Sequence, residues 1–460
     1  MLDIKIVGGQ VANVVQGKLV HCDVGISDGK VRLLTGSESG MDAKKVIDAS
    51  NCIVSPGFID IHMHEEDLKL TGGKYYDTSQ SELLMGVTTC VGGNCGSNRN
   101  SLPEFKRWIQ EKGYPVNILS FMGNNSMRQT AGADDLYKPA TKAQIDRMRK
   151  LLDEGLEQGA IGLSYGLEYC PGLDRQEVMG IAADIRNRED LLISVHARYD
   201  ANRALEAIAE IEDIARETRV PMQVSHLSSL CAYGNMKEGL AEIEKMIADG
   251  LNVKADAYPY GAFSCKIGST VFDEGCFENW GKSYDSIILA EEPYKGMVCD
   301  RELFYKVRKE YPMMYVIAKV IHEEEVEEAI RRPYVMVGSD GGFNARQGHP
   351  RGAGTFPRFI RRYSLDRNVI SLLDMLRKMT LDPAQRLGLS HRKGKLQDGY
   401  DADVVIFNPQ QIMDGATFDE PKLPPKGIEA VIVNGTVAVE KGTIVTESAG
   451  CFISRGGKNN

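Results

Sequence analysis

Four of the chain's eight histidines fall where an imidazole can do chemistry. His62-Met63-His64 ends an apolar run, and residues two apart in an extended strand project to the same side, so both rings can converge on one point. Imidazole is a common Zn²⁺ ligand, and catalytic zinc sites keep one position open for water. A His-x-His pair alone carries real false-positive risk. His196 and His226, however, each close a further apolar run, and Asp340 closes another, Val335-Met336-Val337-Gly338-Ser339-Asp340. Five potential ligands at the ends of separate strand-like runs are the layout of a metal centre at one end of a barrel.

Such a layout needs a scaffold that gathers strand ends. Eight short apolar runs are legible: Ile53–His64, Val87–Cys95, Val116–Gly123, Ile161–Tyr169, Leu191–His196, Met222–Leu227, Leu251–Tyr260 and Tyr334–Asp340. Helical periodicity fills segments between them. In Lys142–Gln158 the residues Ile145, Met148, Leu151, Leu152 and Leu156 recur at helical spacing, and Asp200–Thr218 has a similar pattern. Alternating β and α segments predict a parallel sheet, and eight of them predict a (β/α)₈ TIM barrel. The stretch from Tyr260 to Tyr334 is too long for a plain crossover, which predicts an inserted loop or lid around 261–333.

Both ends of the chain read differently. Ile4–Ile6, Gly17–Val24, Lys30–Leu33 and Lys45–Asp48 are β segments separated by turn residues, and β character returns after about Gly394, in Asp403–Phe407, Ala430–Val433 and Gly435–Val439. A lone strand pair is barely stable in water, so residues 1–55 and 391–460 are expected to combine into one small β-sandwich beside a barrel of residues 56–390.

Composition excludes several classes. With 460 residues, 42% hydrophobic and 26% charged, the chain can bury a large core, and only the small polar tail from Gly456 to Asn460 reads as disordered. The net charge is −9 without a basic stripe, so nucleic acid is not the expected partner. No apolar run approaches a membrane span, the first residues lack the pattern of a signal peptide, and ten cysteines without close pairing suit a reducing compartment. A cytoplasmic protein acting on a small molecule is expected.

Pro56-Gly57-Phe58-Ile59-Asp60-Ile61-His62-Met63-His64 resembles the first metal motif of the amidohydrolase superfamily. Met379–Ala384 and Gly399–Phe407 resemble its closing segment. Within it, Gly86-Val87-Thr88-Thr89-Cys90-Val91-Gly92-Gly93-Asn94-Cys95-Gly96 is similar to the second-strand segment of the N-acyl-D-amino-acid deacylases, where a cysteine ligates metal, and the fourth run, Ala160–Tyr169, has no bridging lysine. The resemblance implies Cys95, His196 and His226 as ligands of a tight Zn²⁺, with His62, His64 and Asp340 at a second, weaker position. Cys90, on the opposite side of an ideal strand, reads as core. His349-Pro350-Arg351 and Gly354–Arg358 resemble the family's segment after its aspartate, which implies that Arg351 grips the substrate α-carboxylate, as a guanidinium fork can. By the same resemblance Tyr169, Tyr258 and Ser264 line the substrate site.

One departure bears on substrate. Where the family carries a lysine two residues after the sixth-strand histidine, this chain has Ser228, and Lys266 is the candidate replacement. The resemblance implies hydrolysis of N-acyl-D-amino acids, with zinc activating water and carbonyl, Asp340 as proton carrier and Arg198 supporting His196. Cyclic-amide (hydantoinase- or dihydroorotase-like) or D-dipeptide hydrolysis at the same centre is the alternative. A catalytically dead barrel scaffold is a further one, against which stands the retention of all six candidate ligands.

Overall fold

The computed structural model describes residues 1–71, 77–344 and 347–459. The chain opens with β1 (Leu2–Val7), β2 (Gln10–Asn13), β3 (Lys18–His21), β4 (Asp23–Ser27), β5 (Lys30–Leu34), β6 (Ala43–Asp48) and β7 (Ile53–Pro56). Parallel strands follow: β8 (Phe58–Asp60), β9 (Val87–Gly92), β10 (Asn117–Ser120), β11 (Met122–Gly123), β12 (Gly162–Gly166), β13 (Leu192–His196), β14 (Met222–Val224) and β15 (Val253–Ala257). Next come β16 (Phe263–Lys266), β17 (Ile287–Leu289) and β18 (Tyr315–Ala318), then β19 (Val335–Val337) and the short pair β20 (Phe343–Asn344) and β21 (Gln347–Gly348). The chain ends with β22 (Val404–Phe407), β23 (Ile428–Val433), β24 (Thr436–Glu440), β25 (Thr443–Ile444), β26 (Ile453–Ser454) and β27 (Lys458–Asn459).

From β8 to β15, and then β19, each strand pairs in parallel with the next, β10 and β11 being one path interrupted at Phe121. The two ends of this series also meet. Met63 bridges Gly341 in the parallel sense, the His64 amide donates to the Gly341 carbonyl at 2.7 Å, and the Asp340 amide donates to the His62 carbonyl at 2.7 Å. Strands β9, β12 and β13 are buried at every residue, as expected when both faces of a parallel sheet are covered. Among the covering helices, Lys142–Glu157 starts with a capping box between Thr141 and Gln144 and buries Ile145, Met148, Leu152 and Leu156. A 3₁₀ turn, Ala201–Arg203, precedes the helix Ala204–Thr218.

The chain's ends pack together. β7 lies between β2 and β22, so an N-terminal strand is hydrogen-bonded to a C-terminal one. A second sheet, in the order β5-β4-β1-β6, packs on it through Ile4, Ile6, Val24 and Ile26 against Val54, Val404, Ile406 and Ile432. The insertion carries its own antiparallel sheet, β16-β18-β17, and is therefore a small folded unit, where a bare loop would also have satisfied the sequence.

Three sequence expectations need correction. Ile53–His64 is two strands: Pro56 offers no amide, Gly57 is wedged against Thr88 where any Cβ would collide, and the chain there crosses from the flanking sheet into the parallel series. Gly17–Val24 breaks at Cys22 into β3 and β4, which join different sheets. The expected disordered tail forms a hairpin through Lys458–Asn459, leaving Asn460 outside the described residues. Among the described residues no helix is long and apolar enough to cross a membrane.

Candidate metal centre

At the C-terminal ends of the parallel strands, His62, Cys95, His226 and Asp340 each offer one ligand atom, and those atoms lie within 4.8 Å of one another. Cys95 Sγ sits between two rings, 3.2 Å from His62 Nε2 and 3.5 Å from His226 Nε2. His196 Nδ1 is 2.8 Å from His226 Nε2, so its ring joins the group. Asp340 Oδ1 is 3.0 Å from His64 Nε2 and 3.5 Å from His62 Nε2. All six expected ligands thus gather in one place, and His62, Cys95, His226 and Asp340 form its compact part.

Their outward ring nitrogens are also held. His62 Nδ1 meets Asp256 Oδ1 at 3.1 Å, His196 Nε2 meets Glu168 Oε2 at 2.9 Å, and His226 Nδ1 meets Ser229 Oγ at 2.8 Å. Each contact aims the ring's other nitrogen inward, the usual arrangement behind metal-binding imidazoles. Asp256 also accepts the His226 amide at 2.7 Å, so one buried carboxylate fixes two of the rings.

The backbone is bent to the same end. Cys95, His226 and Asp340 all have positive φ, at 53°, 32° and 49°. Left-handed backbone costs a non-glycine residue on the order of 1–2 kcal/mol, and here it recurs where three strands deliver their side chains.

Electrostatics identify what the group is suited to hold. Burial opposes a charged sulfur, yet His62, His196 and His226 hold the Cys95 thiol well below its usual range. Burial likewise disfavours a charged His196, but Cys95 and Glu168 carry it up to about 10. Burial works against the Asp340 carboxylate, while Arg351 and His226 hold it well below the usual range. Thiolate and carboxylate together draw protons onto His62, His64 and His196, which is the demand a divalent cation would meet. Nitrogen and sulfur donors with one carboxylate suit Zn²⁺.

Arg351, buried at the start of the helix Arg351–Arg358, places Nη1 2.8 Å from Asp340 Oδ2 and stacks its guanidinium 4.7 Å over the Tyr258 ring. Tyr169 packs against the His196 ring at 4.5 Å, and together with Ser264 it lines the same cleft as Arg351 and Asp340. Cys90 is buried in the core, as expected. Arg198 does not support His196: its guanidinium reaches Glu210 at 2.7 Å, because residues two apart at a strand end diverge once the chain turns. Glu168 has that role instead. Ser228 is buried and its Oγ lies 3.4 Å from the Tyr258 amide, leaving no cation at that position. Lys266 is half-buried, and burial, then the neighbouring Arg99, pushes its ammonium below the usual range.

Sequence reasoning missed Glu168, Asp256 and Ser229. Asp256 had a signal, being the one acid of the run Val253-Lys254-Ala255-Asp256-Ala257.

The amidohydrolase family model matches residues 45–257 and 303–439. N-acyl-D-glutamate deacylase of Alcaligenes xylosoxydans xylosoxydans is 30% identical over 94% of this chain and 93% of its own length. D-aminoacylase of the same organism is 29% identical over 95% and 94%. The crystal structure of N-acyl-D-glutamate deacylase from Bordetella bronchiseptica, complexed with zinc and a phosphonate inhibitor, superposes with a TM-score of 0.87 at 29% identity and covers 99% of both chains.

Proposed function

The chain belongs to the amidohydrolase family, and from that premise we propose that it is a zinc-dependent hydrolase cleaving the amide bond of N-acyl-D-amino acids. The products are a carboxylic acid and the free D-amino acid. The observation that carries this reading is the convergence of His62, Cys95, His226 and Asp340 beside the buried Arg351. We read the parallel series, whose ends meet at Met63 and Gly341, as a (β/α)₈ barrel at 56–390. Residues 1–55 and 391–460 form its companion sandwich, and 261–333 the insertion over the site. Ten free cysteines favour the cytoplasm.

Cys95, His196 and His226 would hold the zinc, with His62, His64 and Asp340 completing a weaker second position. Zinc, when bound, supplies Lewis acidity to the amide carbonyl and makes water a nucleophile near neutral pH. The protein's own groups do the rest. Asp340 accepts the proton of the attacking water at a carboxylate oxygen and returns it to the departing amine nitrogen. Arg351 binds the substrate α-carboxylate, and the Tyr258 ring beneath it fixes the guanidinium plane. Tyr169 and Ser264 close the walls around the scissile bond and limit water.

Release of free amine from paired N-acetyl-D- and N-acetyl-L-amino acids by the zinc-loaded protein tests the proposal. D-selective turnover is expected. Equal turnover of both series removes the D-specific reading. A protein inactive on both, yet active on hydantoins or dihydroorotate, belongs to the cyclic-amide reading. The uncharged Ser228 keeps that reading open, because a hydantoin has no carboxylate for a second cation to hold.

A further inference from the structure

We propose that the site selects basic side chains and rejects acidic ones, with Glu168 setting that preference; the inference rests on the N-acyl-D-amino-acid reading above. Glu168 stands on the cleft wall two residues beyond β12, its side chain 19% exposed, with Oε2 on His196 and its backbone carbonyl accepting the Thr270 hydroxyl of the insertion at 2.7 Å. Asp200 lies on the same wall. Among the described residues its carboxyl accepts from Asn279 Nδ2 at 2.7 Å, Trp280 Nε1 at 2.9 Å and Tyr233 OH at 3.3 Å, so it ties the insertion to the wall and leaves the charge there to Glu168.

Among the described residues lining the cleft, Arg351 is the one arginine or lysine, and it faces Asp340. It is also the group the α-carboxylate needs. A glutamate or aspartate side chain would therefore bring a second negative charge into a narrow cleft whose one arginine is already engaged. Like charges brought together in a desolvated site suppress the wrong partner strongly. A D-lysine or D-ornithine side chain fits the same wall: its methylene stem can lie along Tyr169, Tyr199 and Phe263 while the ammonium meets Glu168. The similarity to a D-glutamate deacylase accordingly does not extend to its acidic substrate.

The experiment compares kcat/KM of the zinc-loaded enzyme for the N-acetyl derivatives of D-lysine, D-norleucine and D-glutamate, which share a backbone. Lysine is expected to exceed norleucine roughly tenfold, and glutamate to fall below it by tenfold or more. Glu168→Gln should shrink the lysine-to-norleucine ratio towards unity, the norleucine rate reporting any damage to the zinc site. Glutamate at or above norleucine, or lysine at or below it, overturns the proposal. If none of the three is hydrolysed, the deacylase reading fails on its own. Binding of the same three compounds, followed by the fluorescence of Trp280 beside Asp200, then decides the charge preference: lysine tightest sustains it, and equal affinities overturn it.

Discussion

Asp340 meets Arg351 with one oxygen and the His62–His64 pair with the other, so changing its charge and changing its shape are separable. Asp340→Asn keeps the shape and removes the proton acceptor. It should retain zinc by elemental analysis while turnover falls about 10²–10⁴-fold, the usual contribution of general acid–base catalysis. Unchanged turnover would remove Asp340 from the proton path. Cys95→Ala should instead lose zinc on dialysis, and a fully loaded variant would return Cys95 to the core. The four histidines and Asp340 were legible because histidine is rare in the chain and they close apolar runs, whereas Cys95 was legible only through the family resemblance. Glu168 and Asp256 were not, since they are two among 64 acidic residues and nothing local distinguishes a carboxylate behind a ligand from one in solvent.

Elements position these groups in pairs. Asp256 on β15 fixes both the His62 ring and the His226 backbone, tying three strands to one carboxylate. Asp256→Ala should weaken zinc binding about 10–100-fold, measured by competition with a chelator, because outer partners of metal-binding histidines carry that much affinity. Asp200 ties the insertion to the loop after β13 through Asn279 and Trp280, and burial with the nearby Glu168 raises its carboxyl to about 8. The unfolded chain releases that proton near pH ~4, so the folded state binds more protons between those values and stability falls as pH rises through about 8. Asp200→Asn should flatten that decline in melting temperature between pH 4 and 9, and an unaltered profile would contradict the raised carboxyl. Strand existence could be read from apolar runs. The break at Pro56-Gly57 could not, because both halves are equally apolar and only their sheet partners differ.

For the whole molecule, metal and fold should be linked. Zinc at about 100 times its dissociation constant should stabilise the folded state by roughly 2.7 kcal/mol, seen as a melting temperature that falls on chelation and recovers with zinc. The alternation of strand and helix was legible along most of the chain. The sheet within the insertion was not, its strands being three or four residues long and hydrogen-bonded into a sheet of their own. The contact between Met63 and Gly341 has a consequence in time. A ribosome delivers His62 early and Asp340 some 280 residues later, a minute's work or less at roughly 5–20 residues per second. Throughout that interval the first histidines wait without their carboxylate partner. β7 waits longer still for β22, so its edge must be kept from other company until that strand arrives.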